Sequence, residues 1–312
     1  MIDETINSAS AAPWHQAVIR HAQAHPLTTV GFTVALLAVL LLLVQSLWLI
    51  ATGQAEASLR WALMGGMVGF GSTALGALPA LLLRNIPQRI EDYMLGFAAG
   101  MMLAAAAFAL ILPGIEAASI LTGNNAGGAA IVITGMALGV LLMLGLDQFI
   151  PHEHDKTGPC GPGHENCHRM WLFVFAIALH NLPEGMAIGV GFSQQDLSVG
   201  LPLTAAIALQ NLPEGLAVAM VMVAAGFRHT TAVLTAAATG LMEPVGAILG
   251  VGIASGLEVA YPIGLGLAGG AMLFVVSHEV IPETHRNGHQ TVATIGLMGG
   301  FALMLLLDTV LG

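Results

Sequence analysis

Leu179-His180-Asn181-Leu182-Pro183-Glu184-Gly185 and Leu209-Gln210-Asn211-Leu212-Pro213-Glu214-Gly215 are one phrase written twice, thirty residues apart. On a helix, His180 and Glu184 are four apart and share a face, with Asn181 beside them; Gln210, Asn211 and Glu214 repeat the geometry. Glu243-Pro244 lies further along the chain. Each of these carboxylates falls inside a long apolar stretch, where an ionisable group costs roughly 3 kcal/mol to insert. Three carboxylates in one low-dielectric place repel each other and take up protons. A divalent cation removes that conflict, because it prefers deprotonated ligands and stabilises them by its own charge. Imidazole and carboxylate, with a thioether where one stands near, form a borderline donor set, suited to Zn²⁺ and also to Cd²⁺, Fe²⁺, Mn²⁺, Co²⁺ or Ni²⁺, rather than to hard Mg²⁺ or Ca²⁺. Carboxylates bridge, so two neighbouring ions are feasible.

Other polar groups lie along the approaches. Met102 stands at similar depth and could add a thioether, although most of the 16 methionines must be packing residues. Asp308 and Glu116 fall near one end of their apolar runs. His278 and Glu279 fall near the other, followed by Pro282, Glu283, His285 and His289. Each is read either as part of a cation route or as a solvated helix end. The segment after Pro151 holds His152, His154, Cys160, His164, Cys167 and His168 among glycines and prolines. Its spacing matches no structural zinc module. It either captures metal weakly or serves as a flexible linker.

These residues need helices in lipid to position them. Of 312 residues, 56% are hydrophobic and 8% charged, and the mean hydropathy is +0.83; the bilayer is the solvent. Nine apolar runs occur at about 27–52, 61–84, 93–114, 127–149, 171–193, 200–225, 232–255, 262–282 and 292–311, each near the length of a membrane-spanning helix. With the N-terminus in the cytoplasm, Arg20, Arg84, Arg89, Lys156, Arg169, Arg228 and Arg286 are cytoplasmic and only Arg60 is outside, a strong positive-inside bias. The C-terminus is then extracytoplasmic. Counted from the run starts, Glu184, Glu214 and Glu243 are each roughly 15–20 Å deep at 1.5 Å per residue. Proline removes a helical N–H, so Pro183, Pro213 and Pro244 free the carbonyls of Leu179, Leu209 and Gly240. Gly96/Gly100, Gly246/Gly250 and Gly266/Gly270 predict close helix contacts. Because the doubled phrase falls on consecutive, oppositely directed helices, it implies a pseudo-two-fold axis in the membrane plane.

At these residues the chain resembles the ZIP family of divalent-metal transporters, in particular its bacterial GufA-like branch. The resemblance rests on the doubled motif, Met242-Glu243-Pro244, Gly96 to Met102, the histidine-bearing loop, and Ser277-His278-Glu279 through His285. It implies an all-α membrane protein, a 3+2+3 inverted repeat of eight helices, with residues 27–52 as one extra N-terminal transmembrane helix. Residues 1–26 form a flexible or interfacial cytoplasmic tail, and residues 53–312 the transporter domain with a cytoplasmic loop at 150–170. The resemblance implies a binuclear midplane site. One ion takes Met102, His180, Glu184, Gln210 and Glu214; the second takes Asn181, Asn211, Glu243 and the bridging Glu184 and Glu214. It also implies a homodimer in a plasma or bacterial inner membrane, and motion of the second, fifth, sixth and seventh runs against the other four as an elevator. Relatives often carry aspartate where Asn211 stands and histidine where Gln210 stands.

Several classes are excluded. A formal net charge of −10 leaves nothing to neutralise phosphates, so nucleic acid is no partner. No Walker A motif is present. His278-Glu279 begins like HExxH, but Pro282 takes the place of the second histidine, and no nucleophile or separate general base stands out. The expected activity is therefore inward transport of Zn²⁺, Cd²⁺ and similar ions, with a metal-selective channel as the alternative. No catalytic cofactor is expected.

Overall fold

The structure is a computed structural model that describes residues 14–53, 56–83, 87–149, 152–154, 158–160, 169–224, 227–255, 257–285 and 288–311. Helices α1 (Trp14–Ala24) and α2 (Pro26–Ala51) are followed by α3 (Glu56–Ala77), which ends in a 3₁₀ turn, Leu78–Leu81. Next come α4 (Gln88–Ala104), a π-helical turn Ala105–Ile111, α5 (Leu112–Thr122) and α6 (Asn125–Phe149). Two three-residue strands, β1 (His152–His154) and β2 (Gly158–Cys160), pair antiparallel. The chain continues through α7 (Arg169–Phe192), α8 (Leu197–Ala224), α9 (His229–Thr239) and α10 (Met242–Ala254). It ends with α11 (Ala260–Val275), a second π-helical turn Val276–Val280, α12 (Ile281–Thr284) and α13 (Gln290–Leu311).

The helices fall on the nine apolar runs. Among the described residues, seven are long and apolar enough to cross a membrane, or eight if the bent pair α1–α2 counts as one span. Long-range contacts tie their ends together as nine alternating spans require. Ser58, at the start of α3, donates to the carbonyl of Ser193 just after α7. His229, at the start of α9, meets the carbonyl of Ala80 just after α3. Asp92 near the start of α4 pairs with His289 just before α13, and Asp147 near the end of α6 lies by His278.

The structure adds detail at both polar segments and lengthens one span. The tail is helical from Trp14 onwards, and α1 turns from α2 by 112° at the His25-Pro26 junction. The loop after Pro151 carries the β1–β2 hairpin, packed against α7. The third run does not stop near 114: helix continues to Thr122, where Gly123 at φ 72° ends it in the left-handed conformation.

Both π-helical turns end two residues before a proline, Pro113 and Pro282. Proline has no N–H to give and clashes with the preceding turn, and a widened turn absorbs both defects without breaking the span. The four most extensive interfaces are α4·α13, α7·α10, α6·α11 and α3·α8. Exchange the first three spans after α2 (α3, α4–α5, α6) with the last three (α9–α10, α11–α12, α13), and exchange α7 with α8. Then α3·α8 becomes α10·α7, and α4·α13 becomes α11·α6. The π-turns exchange as well. That is the 3+2+3 inverted repeat. Its contacts are made at glycine: a Cβ at Gly96 or Gly100 would strike the α13 backbone, and one at Gly266 or Gly270 the α6 backbone. Without a hydrophobic drive between helices in lipid, such close packing holds the bundle together. The main apolar core runs through α4, α7, α8, α10 and α11 and includes Met102.

Candidate metal centre

Helices α7 and α8 stay helical through Pro183 and Pro213. The interruption lies elsewhere, at Gly240-Leu241 between α9 and α10, which puts Glu243 in the first turn of α10. There the expectation for Gly240 is corrected: its carbonyl is not left free by Pro244, since it accepts the N–H of Glu243 at 3.0 Å.

Helix α10 lies on α7 at backbone distance. A Cβ on Gly185 would strike the Glu243 carbonyl, and one on Gly246 the Leu182 carbonyl. Gly185, the motif glycine after Glu184, therefore lets α10 approach until Glu243 lies beside that part of α7. Glu184 and Glu243 are fully buried, as is Gln210, and Asn181 and Asn211 are nearly so; Glu214 is half-buried. Glu184 lies within electrostatic reach of Glu214 and Glu243, and Glu243 of Glu214.

Gln210 Nε2 donates to Glu184 Oε1 at 2.6 Å, joining the two copies of the motif. Thr73 Oγ1 donates to Glu243 Oε1 at 2.8 Å. Several remaining polar atoms are buried with no protein partner: Asn181 Nδ2, Glu184 Oε2, Gln210 Oε1, Glu243 Oε2 and both amide atoms of Asn211. Buried polar atoms are nearly always paired. Six orphans on three adjoining helices form a donor set for a cation and its water. Four of them are oxygens, which suits a divalent ion. Among the described residues, no three His, Cys, Asp or Glu side chains stand at metal-holding distance; the set is mixed carboxylate and amide. The His180 side chain lies outside the described residues, as do those of His152 and His154.

Met102 is buried in the apolar core with residues of α7 and α8, and nothing in its surroundings separates it from a packing residue. His278 is exposed, stacked on Phe274 with centroids 4.9 Å apart, and 3.9 Å from Asp147. Glu279 is half-buried on the same π-turn. Asp308 is half-buried near the far end of α13 and Glu116 is exposed. Glu184 and Gln210 are thus joined, with Glu214 and Glu243 near Glu184, whereas His278, Glu279 and Asp308 lie at the span ends.

Sequence reasoning missed Thr73, Asp92 and Asp147. Asp92 is fully buried and pairs with His289 at 2.8 Å. Both aspartates sit at the edge of an apolar run, where a carboxylate was the available signal. Thr73 gave none, since a threonine inside an apolar helix is ordinary.

A family model described as ZIP zinc transporter matches residues 151–308. The chain is 60% identical over 299 residues to the zinc transporter ZIPB of Bordetella bronchiseptica, covering 96% of each chain. The chain belongs to the ZIP family. It is a membrane protein of a transporter family and not an enzyme. It is also 39% identical to the zinc transporter GufA of Myxococcus xanthus, over 80% of this chain and 98% of that one. To the zinc transporter ZupT of Chlorobium luteolum it is 33% identical, over 80% and 96%. The doubled phrase and Glu243-Pro244 both lie inside the matched family segment.

Proposed function

We propose that this ZIP protein carries Zn²⁺, and related ions such as Cd²⁺, into the cytoplasm through a midplane site on α7, α8 and α10. One observation carries the reading: Glu184 and Glu243 are buried in the bundle within electrostatic reach of Glu214, beside amides that keep polar atoms with no protein partner. Uncompensated, that arrangement is costly in lipid; a doubly charged cargo compensates it. Two ions bridged by Glu184 and Glu214 fit the doubled motif. Met102, His180 and Gln210 complete one ion's shell, and Asn181, Asn211 and Glu243 the other's. His278, Glu279, His152 and His154 serve the cytoplasmic side, and Asp308 the outer mouth. The positive-inside bias supports a cytoplasmic N-terminus and an inward direction, and the resemblance adds a homodimer.

The transport step is an elevator motion of α3, α7, α8 and α9–α10 against α4–α5, α6, α11 and α13. The four strongest interfaces fall within these two groups, and the contacts between them are weaker. Bodies that are firm inside and loosely joined are those that slide.

Uptake of Zn²⁺ into proteoliposomes tests the reading. The wild type gives saturable uptake with counterflow, and Glu214→Ala combined with His180→Ala abolishes it. Unchanged transport in the double variant removes the site. Non-saturating flux without counterflow makes the protein a channel.

A further inference from the structure

A short hydrogen bond to Glu243 comes from a helix with no charged group at the centre. On α3, Thr73 is buried, and its hydroxyl lies 2.8 Å from Glu243 Oε1 and 3.4 Å from the carbonyl of Gly69. A hydroxyl has one hydrogen to give, and the shorter contact takes it. The other carboxylate oxygen, Oε2, is buried without a protein partner, and it occupies the space that a Cβ on Gly69 would fill. One turn of α3 therefore cradles the whole carboxylate. Gly69 leaves room for one oxygen, and Thr73, four residues on, holds the other. Thr73 is itself fixed from both sides: a Cβ on Gly215 would strike its carbonyl, and one on Gly240 would come within 3.0 Å of its Cβ.

The inverted repeat gives this contact its meaning. Gly185 abuts the Glu243 carbonyl, and its motif counterpart Gly215 abuts the Thr73 carbonyl. Gly246, three residues after Glu243, abuts the Leu182 carbonyl; Gly76, three after Thr73, abuts the Leu212 carbonyl. Thr73 is thus the counterpart of Glu243 in the other half. One half supplies a carboxylate and the other a hydroxyl, and the two meet across the pseudo-two-fold axis.

We infer that Thr73 is a positioning residue that fixes Glu243 as a one-oxygen donor to the transported ion and so favours small cations over large ones. The inference rests on the midplane reading above. A carboxylate with one oxygen held by a fixed donor offers the other alone. Zn²⁺, with few ligands at short distance, accepts that. Larger ions take more oxygens and use carboxylates through both. Releasing Oε1 lets Glu243 turn and grip a larger ion with two oxygens, at the expense of Zn²⁺.

The test is competitive uptake of Zn²⁺ and Cd²⁺ by proteoliposomes holding the wild type, Thr73→Val or Thr73→Ser. Thr73→Val keeps the shape and removes the hydroxyl; it raises the KM for Zn²⁺ roughly ten-fold, the effect of one lost hydrogen bond to a charged group. The same variant shifts the competition toward Cd²⁺. Thr73→Ser restores both readouts. Where Thr73→Val does not elute as a single species, Thr73→Ala is measured in its place with the same expectation. An unchanged KM and ion preference overturns the inference. So does an equal loss of both ions that serine does not rescue, since that marks a packing role. Wild-type vesicles that take up no metal overturn the transport reading instead.

Discussion

Asn211 lies beside Glu243 with both amide atoms buried. An amide there gives the proposed second ion one negative charge fewer than a carboxylate would. Asn211→Asp is therefore expected to raise the metal retained per chain toward two, read by metal analysis after equilibrium dialysis; unchanged stoichiometry removes Asn211 as the weak point. At the other residue-scale site, His289 shields the fully buried Asp92. His289→Ala removes the short contact to Asp92 Oδ2 and leaves the longer one from Gln88 to Oδ1, and thermal unfolding in detergent should show a loss of about 1 kcal/mol. His289→Gln, which still donates, should recover part of it.

Helix α1 and the glycine-lined crossings carry the predictions at the element scale. Burial, and then the neighbouring His25, hold His21 below the usual histidine range; its ring lies edge-on to Phe149, centroids 5.2 Å apart. A histidine with a lowered folded pKa favours the docked state above its unfolded pKa, near 6.5, and that contribution is lost as pH falls through the folded value. Amide exchange across residues 14–24, corrected for intrinsic rate, should rise between pH 7.5 and pH values below about 6. With His21→Phe the rise should disappear. At the α4·α13 crossing, a Cβ on Gly100 would strike the Leu297 carbonyl and come within 2.8 Å of the Phe301 backbone nitrogen. Backbone cannot yield as a side chain can, so Gly100→Ala should cost about 1–3 kcal/mol of stability. Gly71 has open space around it, and Gly71→Ala should be neutral or slightly stabilising.

For the whole molecule, two bodies sliding past each other imply that a covalent bridge between them stops transport. Gly264 of α11 faces Val190 of α7: a Cβ built on Gly264 lies 3.4 Å from Val190 Cγ2, within the reach of a disulfide. With Cys160 and Cys167 replaced by serine, oxidising Gly264→Cys/Val190→Cys should abolish uptake, and reduction should restore it. Uptake that continues in the fully bridged protein would rule out relative motion at this contact. Helix α2 packs on both bodies, through α6 and α10, and Ala35 and Val39 share a cluster with Leu142 of α6 and Ile253 of α10.

The span pattern, the burial of Glu184 and Glu243 and the inverted repeat were legible in the sequence for a physical reason. Lipid allows a spanning segment little but helix, so apolar length alone marks it, and a motif repeated on opposed helices implies its axis. The hairpin after Pro151 and the helix in the tail were not legible, because outside lipid that constraint lapses and local contacts decide. The centre divides in the same way. His180, Asn181, Glu184 and their counterparts stand out because polar groups in an apolar run are costly. Thr73, Gly69 and the pairing of Asp92 with His289 became visible only when helices far apart in the chain were brought within hydrogen-bonding distance. Which oxygen of Glu243 is held by Thr73 is a property of that packing and of no single segment.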